Sequence, residues 1–194
     1  MLFALYSKRN KFDMIQNDYY HRIELIFRNS NSPDELFDTF NDAIKLKITD
    51  LSLYKIFLGN PALSVDELKM FTGKLLKEIP ENRFPIGMWA AKIFENRQSS
   101  YEFMENAIHY YILAMESKPD AHEPLLEMIR LYNIELDLPC NRKILELLDT
   151  FIPAVNSKSK VYFALADLYK KKNDLNTATK YLALANKAAE RERD

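Results

Sequence analysis

Three histidines, one cysteine and a run of lysines are the side chains of this sequence best suited to chemistry. His21, His109 and His122 stand far apart, whereas imidazoles that share a metal usually recur within a few residues or join a cysteine cluster. His109 follows Glu105 by one helical turn, the spacing of a pair on a helix surface. Cys140 follows Pro139 at an expected helix start, where the helix dipole would favour a thiolate; a thiol packed in the core is the preferred reading. There is no CxxC pair, no glycine-rich phosphate loop and no G-x-S-x-G. No catalytic residue, metal ligand or cofactor is therefore expected, and the chain reads as a non-enzyme. The tyrosine pairs in "DYYHRIELI" and "HYYILAM" would suit base stacking, but adjacent helical residues point about 100° apart, so one ring of each pair belongs to the core. Lys170 to Lys172 read as a solvated turn.

The elements that must position these residues are helices. Three glycines in 194 residues are too few for the turns of a sheet-rich chain. Apolar content of 47% with 28% charged residues is that of an ordinary globular protein. A net charge of −1 argues against nucleic acid and anionic membrane as partners. One cysteine excludes an internal disulfide, and a reducing cytoplasm fits best. The start, "MLFALYSKRN", puts its charges after a short apolar run and so reads as no signal peptide; no stretch approaches a membrane span. Periodicity with start and stop signals marks about ten helices, at roughly 12–28, 33–47, 50–58, 64–79, 85–96, 101–117, 121–135, 140–151, 158–172 and 175–190. "SPDE" from Ser32, "SVDE" from Ser64, "SSYE" from Ser99 and "DAHE" from Asp120 carry the capping signature. Short connections make consecutive helices antiparallel, within a single domain spanning 1–194.

The stretch 161–190, "VYFALADLYKKKNDLNTATKYLALANKAAE", contains neither glycine nor proline yet breaks at "KKKND". Tyr162, Leu165, Ala166 and Tyr169 share one helical face, as do Ala178, Leu182 and Ala185 after the break. Small Ala166 and Ala178 would let two antiparallel backbones approach closely. This pattern resembles the tetratricopeptide repeat, with Asn173, Asp174 and Leu175 matching its inter-helix turn. The preceding unit has Leu125, Met128, Ile129 and Tyr132, then Leu145 and Leu148, and ends at Pro153. Ile129 and Asn141 replace its two small residues, so looser packing is expected. Pro119, one repeat period before Pro153, ends a third unit, with Ala107, Tyr111 and Ala114 on one helix and Met88, Trp89, Ala91 and Phe94 on the other. The resemblance is regular over 85–190 and divergent over 12–80.

It implies an all-α, right-handed solenoid of about five antiparallel helix pairs whose concave face is lined by the first helix of each pair and holds a partner segment. Carried onto this sequence, the family's groove positions are Leu126, Arg130 and Asn133 in one repeat, with Phe163, Asp167 and Lys170 in the next. The lysine and asparagine with which some members clamp a chaperone's C-terminal carboxylate are not matched at these positions. The expected function is a protein-interaction module or scaffold with a protein or peptide partner. Replacing Arg130 or Phe163 is expected to weaken that binding without lowering the melting temperature. The rivals are the repeat domain of a larger enzyme, such as a bacterial glycosyltransferase, and a small secretion or assembly chaperone. The last helix would leave Leu184 and Ala188 uncovered, so a homodimer through it is also expected.

Overall fold

The computed structural model describes residues 18–97 and 101–193, and no strand occurs among them. The helices are α1 (residues 18–29), α2 (Pro33–Lys45), α3 (Leu51–Leu58), α4 (Val65–Glu78), α5 (Arg83–Arg97), α6 (Tyr101–Ser117), α7 (Glu123–Leu131), α8 (Pro139–Phe151), α9 (Lys158–Lys171) and α10 (Leu175–Arg191). Single 3₁₀ turns precede α5 and follow α8. The expectations for "MLFALYSKRN", for the first residues of the helix at 12–28 and for the Ser99 cap lie outside the described residues. Where the sequence suggests one domain over 1–194, contacts within the chain gather it into two compact units, Met1–Asn82 and Arg83–Asp194. The border falls where the repeat pattern changes from divergent to regular.

Caps written in the sequence start several helices. The Ser64 hydroxyl accepts from the Glu67 N–H at 3.2 Å, and the Glu67 carboxylate accepts from the Ser64 N–H at 2.8 Å, a complete capping box. Ser32 caps α2, while the Glu35 carboxylate accepts from the Ser30 hydroxyl instead of reaching Ser32. Asp120 does not cap α7. That helix begins at Glu123 with Pro124 in its first turn, where a missing N–H leaves fewer donors to satisfy. Asp120 instead accepts from the Asn156 amide at 2.9 Å.

Two helices end in a left-handed turn without glycine. Lys47 and Asn173 take φ of 53° and 59°, and each lies two residues past the last residue of its helix, in a Schellman turn. The paired bonds run from Ile48 N–H to Ala43 O and from Asp174 N–H to Tyr169 O. Asn173 is how "KKKND" turns: asparagine tolerates the left-handed region better than most residues do.

In Met1–Asn82 each of the four helices gives one phenylalanine to a shared core. Phe27, Phe40, Phe57 and Phe71 have ring centroids 4.5 to 5.0 Å apart, and all four are buried. Each such pair adds about 0.5–1.5 kcal/mol beyond its buried area. Asn60, also buried, ties the end of α1 to the turn just past α3 by donating to Phe27 O at 2.9 Å and Ser30 O at 3.0 Å.

In Arg83–Asp194, α5 pairs closely with α6 and α9 with α10. The first pair is tight at Gly87, where an added Cβ would meet Tyr110 O at 3.1 Å and Ala114 Cβ at 3.3 Å. In the second, Tyr181 stacks on Tyr169 and Tyr162 at 5.4 and 6.1 Å, and Ala166 and Ala185 are buried while Ala178 is half-buried. Tyr181 thus takes the inward place assigned to Leu182, which is 46% exposed, and Leu184 is half-buried rather than uncovered. The middle pair is looser, as its Ile129 and Asn141 suggest. Here α7 stops at Leu131 instead of running to 135. The Asn133 carbonyl accepts from the Asn141 amide at 2.7 Å, and its own side chain accepts from the N–H groups of Glu135 and Leu136. These bonds hold 132–138 as a loop.

Candidate partner-binding surface

Within Arg83–Asp194, α5, α7 and α9 lie side by side and parallel. Lys92 meets Glu127, and Glu95 meets Arg130. Further along, Asp120 meets Asn156, His122 meets Lys160 and Tyr132 meets Lys172. Contacts between α7 and α9, and between α6 and both α7 and α8, complete the packing.

Charged side chains tie α5, α6 and α7 together. The Glu95 side chain is only 6% exposed, and its carboxylate meets the Arg130 Nη2 at 2.5 Å and Lys92 Nζ at 3.3 Å; it also accepts from the Tyr111 hydroxyl. Glu127 accepts from Arg130 Nε at 2.7 Å and Lys92 Nζ at 2.5 Å. Burial works against the ionised form of Glu127, but the hydrogen bonds from Lys92 and Arg130 outweigh it and hold the carboxyl below its ordinary range. Arg130 is held more firmly protonated by its hydrogen bond to Glu127 and by the nearby Glu95 charge. The Tyr111 hydroxyl is pushed up, first by burial and then by the bond to Glu95.

The six expected groove residues fare differently. Leu126 is half-buried on α7, and Phe163 is 43% exposed on α9. Arg130 is 59% exposed, but its guanidinium is already bound on two sides. Asn133 lies off the helix, its side chain used by the loop. Asp167 is exposed and pairs with Lys171 at 2.7 Å. Lys170 is exposed, and its ammonium meets no carboxylate among the described residues. On α9 the exposed residues Lys160, Phe163, Asp167 and Lys170 form one stripe, at spacings of three and four.

Tyr132 and Tyr169 sit under Lys172, whose ammonium is 4.8 and 5.2 Å from the ring centres and donates to the Tyr132 hydroxyl at 2.8 Å. That hydrogen bond raises the Lys172 pKa. Cys140 is fully buried, and burial pushes its thiol up, which fits the packed-thiol reading. His21 and His109 are exposed, while half-buried His122 lies 3.7 Å from Glu123. Among the described residues no group of three or more His, Cys, Asp or Glu is placed to hold a metal ion, and no helix is long and apolar enough to cross a membrane.

The sequence reading missed Lys92, Glu95, Glu127 and Tyr111 as one group. Its signal was present: Lys92 with Glu127 and Glu95 with Arg130 are opposite charges at the same 35-residue separation. Comparison with models of known protein families, with curated proteins and with solved structures finds no match.

Proposed function

We propose that Arg83–Asp194 is a non-catalytic binding platform of the tetratricopeptide type, with α5, α7 and α9 as the first helices of three stacked pairs. A protein segment lies along α9 beside α7, anchored at Phe163 and Leu126. The observation that carries this reading is the register between successive first helices. Their side chains meet at sequence separations of 35 between α5 and α7, and of 36, 38 and 40 between α7 and α9. Such near-constant separations are what stacked repeats produce. In Met1–Asn82 the separations are 30 for Tyr20 with Asp50 and 33 for Lys74 with Asn41, which supports the same reading there.

The test is affinity purification from the native host with wild-type protein and with Phe163→Asp, read by mass spectrometry. A stoichiometric protein recovered by the first and lost by the second supports the platform. Equal recovery by both would assign binding to another surface. A second copy is the competing occupant, because Leu175 and Leu182 are 65% and 46% exposed on one face of α10. Light scattering over a dilution series reads it out, and Leu182→Glu should abolish any dimer.

A further inference from the structure

We infer that the segment held on α9 is acidic, with carboxylates on both sides of an apolar anchor; this rests on the platform reading above. From Lys158 to Lys172, α9 and its cap carry five lysines and one acid, Asp167, while the net charge of the chain is −1. Asp167 is taken by Lys171, and Lys172 by the two tyrosine rings. The Lys170 ammonium has no partner among the described residues, and that of Lys160 meets only a ring nitrogen of His122, at 3.2 Å.

Ordinary helix electrostatics covers part of this pattern. Lysines in the last turn of a helix suit its negative end, which accounts for Lys170 to Lys172. It does not account for Lys158 and Lys160, which lie in the first turn, the positive end, where cations are disfavoured. The anion that end calls for is supplied by Glu192, which accepts from the Ser159 N–H at 3.0 Å and from its hydroxyl at 2.5 Å. Lys160 therefore breaks a local rule and meets His122 but no carboxylate among the described residues, which points to a charge outside the chain.

At about 1.5 Å per residue, Lys160 lies about 4.5 Å before Phe163 along the axis and Lys170 about 10.5 Å after it. An extended segment advances about 3.3 Å per residue. One carboxylate one or two residues from the anchor and another about three residues beyond it match both lysines. A protein segment is favoured over nucleic acid because Phe163 is the stripe's one aromatic side chain. The Tyr162 and Tyr169 rings are stacked on Tyr181, so no row of rings is presented to bases.

A random twelve-residue peptide library displayed on phage, selected on the full chain, tests this. The best peptide is then measured by fluorescence anisotropy at low and high salt. Expected are peptides rich in Asp and Glu around one large apolar residue, with affinity falling as salt rises. Phe163→Ala and the pair Lys160→Glu with Lys170→Glu should each weaken binding about tenfold or more. Lys160→Gln with Lys170→Gln gives a milder version should charge reversal disturb folding, which circular dichroism reports. Peptides lost on Phe163→Ala, yet without acidic bias and indifferent to the lysine changes, overturn the acidic partner and keep the platform. Peptides indifferent to Phe163→Ala as well overturn both. Binding of single-stranded oligothymidylate or anionic vesicles that needs the lysines but not Phe163 would replace the protein segment by a polyanion.

Discussion

Arg130→Ala removes two bonds at once, from Nε to Glu127 and from Nη2 to Glu95. Sequence reasoning expects this change to spare stability, but the structure argues otherwise. The Glu95 side chain is almost fully buried, and breaking a buried pair by deleting one partner costs about 3–5 kcal/mol. The guanidinium is more than half exposed, and Glu95 keeps Lys92 and the Tyr111 hydroxyl. The loss should therefore sit near the value of one charged hydrogen bond, about 2 kcal/mol. For a unit of this size that is a fall of roughly 8 °C in the melting transition of Arg83–Asp194. Thermal unfolding by circular dichroism reads it, with Lys170→Ala as a control expected to change nothing. In a double-mutant cycle, Glu95→Gln should cost less when Arg130 is already alanine, by about 1 kcal/mol. The pH profile carries a sign. Glu127 has a depressed folded pKa, so its contribution is present above the ordinary carboxyl value of 4.5 and is lost as pH falls through the folded value. Acid should therefore destabilise the wild type more steeply than Arg130→Ala. A neutral Arg130→Ala, with strictly additive effects, would refute the network.

Gly87→Ala should destabilise by about 1–2 kcal/mol in thermal melts, although alanine is the better helix former, because the new methyl meets the Tyr110 carbonyl and Ala114. Lys47→Gly should stabilise by about 0.5–1 kcal/mol in urea titrations, by relieving a left-handed lysine. Ala166→Leu should overpack the α9–α10 pair and cost about 1–3 kcal/mol, whereas Asn186→Leu on the exposed face should be nearly silent in the same melt; equal effects would mean that the helix register differs.

Local signals carried most of the fold. The Ser64–Glu67 box, the "KKKND" break and the apolar periodicity all operate within a few residues, and the helices they mark are present. What was illegible depends on contacts between distant segments. The end of α7 is set by Asn141 reaching back to Asn133, and nothing within 121–135 announces it. Tyr181 outcompetes Leu182 for the inward place because Tyr162 and Tyr169 offer rings to stack on. Of the positions that the resemblance implies, Phe163 is exposed and Leu126 half-buried, and whether Arg130 is free or bound depends on α5, thirty-five residues away.

Asn60, Asn82 and Asn141 each point a side-chain amide at backbone carbonyl oxygens of another segment. This makes the fold sensitive to chemical ageing. Deamidation changes the mass by about one unit, yet it replaces a donor by a charged acceptor, so a carboxylate would face the same carbonyls. That reaction ordinarily begins with attack by the next residue's backbone nitrogen. Asn60, buried and bonded to two carbonyls, is followed by Pro61, which has no N–H to give up. The amide holding α1 to the turn after α3 is thus guarded against that damage by the residue that follows it, while Asn82 and Asn141, each followed by arginine, have no such guard.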